Sequence, residues 1–315
     1  MPEQDVTFPS GDLTLAGTLT RPERRLNGPL VLLVVGSGPI DRNSDVKRMP
    51  LGITRQLADR LADNGIPSLR FDKRGIGASE GDYRSAGFSD NVTDASAGLE
   101  FLRRHPDIRS EDIFVVGHSE GALIASAIAA SGDPIAGVVL LSGAARRGEE
   151  VLRWQASRLA DMLPRPIRSL TKLLRIDVER SQIKRLEKLK ASSDDVIRMQ
   201  GLIKVNAKWF REFMAFDAAK ALAEIEVPVL AITGAGDVQV DPADVELMGQ
   251  LVQGPFEGHV VPGVNHILRT GGPSPTSYRK QVGLPLDART LDLVLAWIDR
   301  HGSEQPRETT EDAAT

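Results

Sequence analysis

Short apolar runs alternate with segments whose apolar residues recur at helical spacing through most of this chain. Runs at Leu30 to Gly36, Pro67 to Phe71, Ile113 to Val116, Gly137 to Leu141 and Val227 to Ile232, with a shorter one near His259 to Val261, have the length and aliphatic content of buried strands. Leu51 to Asn64 carries Leu51, Leu57 and Leu61 at near-helical spacing, and Asn91 to Arg104 carries Val92, Ala95, Leu99 and Leu102. A hairpin-like start, Val6 to Phe8 and Leu13 to Thr20 around Ser10-Gly11-Asp12, precedes them. Strands joined through helices predict an α/β fold with a mostly parallel sheet flanked by helices.

After Ser142-Gly143 the alternation stops. From about 144 to 216 no strand-like run stands out, and Leu163, Ile167, Leu170 and Leu174 repeat at helical spacing, which predicts an all-helical cap. The core then comprises 1–143 and 217–301. Basic residues crowd 165 to 190 and read as the solvated face of an amphipathic cap helix. The polar stretch 302–315 reads as a disordered tail. The longest apolar run, Leu30 to Val35, is too short to span a bilayer, and the acidic Met-Pro-Glu-Gln-Asp-Val start shows no targeting pattern. A cytoplasmic location is the expectation.

Composition narrows the chemistry. Of 315 residues 41% are hydrophobic and 26% charged, and the net charge of -4 argues against a nucleic-acid partner. A small-molecule partner is expected instead. The chain has no cysteine, which excludes disulfides, thiolate metal sites and a cysteine nucleophile. Ser, His, Asp and Glu must carry any catalysis.

The pattern G-x-S-x-G occurs twice, at Gly117-His118-Ser119-Glu120-Gly121 and at Gly77-Ala78-Ser79-Glu80-Gly81. A nucleophilic serine needs a sharp strand-to-helix turn that exposes Oγ and puts the following N–H groups at a helix N-terminus. Ser119 has that context, between the strand Asp112 to Val116 and the helix Ala122 to Ala130. Ser79 follows Asp72-Lys73-Arg74-Gly75-Ile76-Gly77 with no immediate helix, and reads as a loop residue. A serine hydroxyl needs a base, and the base a carboxylate that sets its tautomer. Of the histidines, His105 and His301 close predicted helices, His259 lies in a strand pattern, and His118 adjoins Ser119 in a turn that would splay the two side chains. His266, in the loop after the last short strand, is the candidate base. The loop after Val227 to Ile232 offers Asp237, with Asp241 second because Asp241-Pro242-Ala243-Asp244 resembles the cap of the next helix. For a developing oxyanion, the N–H after the nucleophile, that of Glu120, is one candidate donor. The loop Gly36 to Asn43 supplies another, Gly38 first and Ser37 second, since Pro39 has no N–H.

The ordered set GSGPIDRN, FDKRGIGASEG, GHSEG, GAGDVQV and GVNH resembles the bacterial carboxylesterases of the α/β-hydrolase superfamily, which are close to the serine-aminopeptidase-like hydrolases. The resemblance covers nearly the whole core. It implies an α/β-hydrolase fold, a triad of Ser119, Asp237 and His266, and oxyanion donors at Gly38 and Glu120. It also implies that Asp41, Arg42, Asp72 and Arg74 brace the loops around the site. The insertion carries no motif that transfers a substrate. Its Trp154, Met162, Met199, Trp209, Phe210, Phe213, Met214 and Phe216 could line an acyl pocket, though helix packing explains most of them. No metal-ligand helix, P-loop or dinucleotide fingerprint is visible, so no metal or cofactor is expected. The expected activity is hydrolysis of esters with small to medium apolar acyl groups. An aminopeptidase or amidase on the same fold, and a catalytically silent ligand-binding protein, are the alternatives.

Overall fold

Alternating strand residues sort the core onto two faces of one sheet, as the two-residue period of a strand requires. A computed structural model describes residues 2–22, 28–105, 112–162, 177–199, 201, 203–272 and 275–302. Among them eight strands form the main sheet: β1 (Glu3–Ser10), β2 (Leu13–Thr20), β3 (Leu30–Val34), β4 (Ser68–Phe71), β5 (Ile113–His118), β6 (Gly137–Leu141), β7 (Val229–Gly234) and β8 (Phe256–Val261). Their spatial order is β1-β2-β4-β3-β5-β6-β7-β8. β1 pairs antiparallel with β2, and β2 with β4, while all strands from β4 to β8 are parallel.

Leu30, Leu32, Val34, Ile113, Val115, Val138 and Leu140 face one side of this sheet. There they meet Ala95 and Leu99 of α2 (Phe88–Arg103) and Ala122 and Ile128 of α3 (Glu120–Ala130). Val31, Leu33, Phe114, Val116, Val139 and Leu141 face the other, against Leu57 and Leu61 of α1 (Ile53–Asp63). β3, β5, β6 and β7 are buried along their whole length, which explains their continuous apolar runs. The parallel α/β expectation holds. α1 begins two residues later than its periodicity predicts, because Gly52 takes a left-handed φ of 61° that a helix cannot continue through.

Between β6 and β7 the chain forms α4 (Gly148–Met162), α5 (Val178–Lys190), α6 (Ala207–Ala215) and α7 (Ala218–Ala223). It is not all-helical as expected. Val196–Met199 and Ile203–Asn206 pair as an antiparallel hairpin, with Gly201 at φ 81° between them. β-branched Val196, Ile197, Ile203 and Val205 favour extended backbone, but four-residue arms are too short for an alternating pattern to stand out. Leu186, Leu189, Val205, Ala207 and Met214 make a small core of their own here. Leu163, Ile167, Leu170 and Leu174, and the stretch from 303 onward, lie outside the described residues. α8 (Asp244–Leu251) precedes β8 and α9 (Ala288–His301) follows it, with a one-turn helix at Pro275–Tyr278 and a 3-10 turn at Arg279–Gln281 between β8 and α9. Among the described residues no helix is long and apolar enough to cross a membrane.

Candidate active site

Three loops at the C-terminal ends of parallel strands converge, where an open α/β sheet leaves room for a ligand. β5 ends at His118, α3 begins at Glu120, and Ser119 alone makes the turn with φ 58° and ψ -117°. A non-glycine residue at positive φ costs about 1–3 kcal/mol and persists only where the surroundings enforce it. Two glycines allow that enforcement. A Cβ on Gly117 would sit 2.0 Å from the Gly121 carbonyl oxygen, and one on Gly121 would sit 2.2 Å from that of Val34. The Ser119 N–H donates to the Leu141 carbonyl at 2.8 Å, which ties the turn to β6.

The Ser119 hydroxyl lies 3.1 Å from Nε2 of His266, and Nδ1 of that ring lies 2.8 Å from Oδ2 of Asp237. Asp237, itself buried, lies in the loop after β7 and accepts the N–H groups of Gln239 at 2.8 Å and Val240 at 3.0 Å. Burial opposes its charge, but the adjacent His266 and these amides outweigh burial and hold the carboxyl below the ordinary carboxylate range. His266 sits in a loop pinned by buried Asn265. Its Oδ1 accepts the N–H of Ile267 at 3.1 Å, and its Nδ2 donates to Gln281 at 2.8 Å and to the Gly272 carbonyl at 3.1 Å. The three residues nominated from sequence therefore form one hydrogen-bonded line.

The decoys lie elsewhere. Ser79 is buried, donating to the Asp72 carbonyl at 2.8 Å and accepting the Ala16 N–H at 2.9 Å. Asp241 pairs with Arg146 at 3.1 Å, and His259 of β8 bonds Glu257 at 2.7 Å. The expected bracing is present in part. Arg42 binds Asp72 through both its backbone N–H, at 2.8 Å, and its guanidinium, at 2.7 Å, while Arg74 binds Asp94 at 2.6 Å. Asp41 accepts the N–H of Asn43 at 2.9 Å within its own loop.

Sequence reasoning missed two features. His118 turns away from Ser119, as expected, but its Nε2–H donates to the His266 carbonyl at 2.8 Å and so supports the loop of the imidazole from beneath. Burial, followed by the charge of His266, lowers its pKa from 6.5 to about 4, so the ring is neutral near pH 7. The second is the side chain of Glu120, buried beside the nucleophile. Lys73 donates to Oε2 at 2.7 Å, while Asn91 at 3.0 Å and the Trp209 indole at 2.5 Å donate to Oε1. Three segments far apart in sequence meet there: the loop after β4, α2 and α6. Lys73 stands within the FDKRG stretch, yet nothing local marks it as the partner of a residue 47 positions away.

Over Ser119 lies a cavity of about 30 Å³, lined by Ser37, Glu120, Leu123, Trp209 and Phe213 among others. Of the aromatic and methionine residues of the insertion, Trp209 and Phe213 reach this cavity and stack with ring centroids 4.7 Å apart. Met214 belongs to the small core of the insertion, Met199 packs against it, and Phe216 lies against Phe88. The side chain of Met162 is outside the described set.

Known proteins resemble this chain in sequence and in fold. Esterase EstD of Thermotoga maritima is 26% identical over 299 residues, covering 93% of this chain and 68% of its own length. The alpha/beta hydrolase GrgF of Penicillium sp. sh18 superposes with a TM-score of 0.64 at 18% identity, over 96% of this chain and 99% of that one. Proline iminopeptidase of Mycobacterium smegmatis superposes at 0.63 with 16% identity, over 95% and 98%. At such identities the two structures speak for the fold, which is that of an α/β hydrolase. The sequence pattern of the family described as Serine aminopeptidase, S33, matches residues 50–269, well over half the chain, from ahead of α1 to the loop that carries His266. With this match and this fold, the chain belongs to that family of serine hydrolases.

Proposed function

We propose that the protein hydrolyses carboxylic esters through an acyl-enzyme on Ser119, with His266 as general base and acid and Asp237 as the carboxylate that orients it. The observation that carries this reading is the line Ser119 Oγ, His266 Nε2, His266 Nδ1, Asp237 Oδ2, with contacts of 3.1 and 2.8 Å. His266 takes the hydroxyl proton as Oγ attacks the ester carbonyl. The tetrahedral intermediate collapses, the bond to the alcohol oxygen breaks, and the imidazolium gives its proton to that oxygen. Water then repeats the sequence on the acyl-enzyme and releases the acid. The oxyanion meets the Glu120 N–H at the start of α3 and a second donor from the Ser37–Gly38 segment. Ser37 lines the cavity with Ser119 and Glu120, which favours its amide, while Gly38 at φ 100° makes the turn that follows. Each such donor contributes about 10²- to 10³-fold in rate.

The esterase name of the Thermotoga maritima relative supports the same reading. An aminopeptidase would need a carboxylate free to receive the substrate ammonium. Glu120, the carboxylate among the residues lining the cavity, already holds Lys73. The test is a set of aryl esters beside aminoacyl anilides, assayed on the wild type and on Ser119→Ala. Ester turnover that survives in the variant overturns the mechanism, and anilide cleavage faster than ester cleavage overturns the substrate class. A fluorophosphonate should label Ser119 and leave Ser79 unmodified.

A further inference from the structure

The 30 Å³ cavity over Ser119 holds about one water-sized or methylene-sized group. An ester with a longer chain needs space elsewhere. A second chamber of about 310 Å³ adjoins it, and Leu152 and Gln155 of α4 line both. That volume is about ten waters' worth, and it lies at the lower end of small-molecule pockets. More of its wall is apolar than polar, with Ala156, Leu186, Leu189, Phe210 and Val238 on one hand and Gln182 and Arg185 on the other.

The two shared side chains differ in how they are held. Gln155 Nε2 donates to the Gln239 carbonyl at 2.8 Å, and Gln239 in turn gives its N–H to Asp237. This end of the wall is fixed to the loop of the proposed triad. Leu152 is half-buried and has no polar group to anchor it, so a change of its rotamer is the inexpensive way to join the two spaces.

We propose that Leu152 and Gln155 form a partition between the Ser119 cavity and a side chamber that takes an apolar alkyl chain of the ester, up to about ten carbons at roughly 30 Å³ per group. This rests on the ester-hydrolase reading of Ser119. The chain can belong to the acyl or to the alcohol side of the ester, since both present the same methylenes to the same walls. Leu152 and Ala156 then set chain-length preference, the first by its position in the passage and the second as a small residue lining the chamber.

The experiment measures kcat/KM on the wild type, Leu152→Ala and Ala156→Phe. One arm uses 4-nitrophenyl esters from acetate to octanoate, and the other uses alkyl acetates from ethyl to octyl. In one arm the wild type should gain about fourfold per added methylene, the equivalent of about 0.8 kcal/mol per buried CH₂. Ala156→Phe should lower the long-to-short ratio in that arm about tenfold or more, and Leu152→Ala should raise it. The arm that responds identifies the side of the ester. Should Ala156→Phe fail to fold, Leu152→Ala still decides, with circular dichroism reporting its fold. Length ratios equal in all folded proteins, with Ser119-dependent acetate hydrolysis intact, overturn the chamber alone. Absence of Ser119-dependent hydrolysis of every ester overturns the reading beneath it.

Discussion

His118 makes a sharp prediction about acid stability. Its ring is buried and donates to the His266 carbonyl, and burial together with the charge of His266 lowers its pKa from 6.5 to about 4. In the unfolded chain it titrates near 6.5. Between these values the unfolded state carries the extra proton, so stability falls as pH drops from 6.5 to 4, and below about 4 the loss is complete. At about 1.4 kcal/mol per pH unit, that window is worth about 3 kcal/mol. This is a large share of the roughly 5–15 kcal/mol that holds a domain folded. The perturbation is His118→Gln, whose amide can still donate toward the carbonyl but does not titrate. Urea unfolding at pH 7, 6, 5 and 4 compares the two proteins. Carboxylates such as Asp237, held low in the fold, lose their stabilising contribution on acidification in both, so the difference isolates the imidazole. The wild type should lose about 3 kcal/mol more than the variant between pH 7 and 4. Curves that stay parallel within about 1 kcal/mol would refute the reasoning, because a one-unit pKa difference alone is worth more than that.

Other predictions come from burial around the elbow. Lys73→Met strands the Glu120 carboxylate without a countercharge and should cost about 3–5 kcal/mol in urea unfolding, with part of the loss recovered in Lys73→Met/Glu120→Gln. A loss under about 1 kcal/mol would show that Asn91 and Trp209 suffice to hold that charge. Ser79→Ala removes two buried hydrogen bonds and should lower stability by about 1–3 kcal/mol while ester turnover persists, whereas loss of turnover in a folded Ser79→Ala protein would reopen the choice of nucleophile. Gly117→Ala forces a Cβ to 2.0 Å from backbone oxygen and should yield insoluble protein or one destabilised by about 3 kcal/mol or more; a soluble, fully active variant would mean the elbow relaxes freely.

Much of the core was legible because its signals are local. Strands β3, β5, β6 and β7 are short apolar runs buried along their whole length, and α1 and α2 keep one apolar face. The Ser119 elbow is local too, a strand, a glycine-flanked serine and a small-residue helix within about twenty positions. The hairpin Val196–Met199 and Ile203–Asn206 escaped because its arms are shorter than the window over which periodicity can be read. Asp237 and His266 were reachable through chain order and loop position, although their alignment with Ser119 to within 3.1 Å belongs to the folded chain.

By itself, then, the sequence determined the alternation of strands and helices, the position of the elbow, and the residue types available for chemistry. Only the tertiary structure decided that β4 lies between β2 and β3, that Lys73, Asn91 and Trp209 meet on one carboxylate, and that Leu152 and Gln155 line two cavities at once. The physical reason is range. Propensity and periodicity act between neighbours along the chain, whereas burying a charge or enclosing a space takes groups that become neighbours only when distant segments pack.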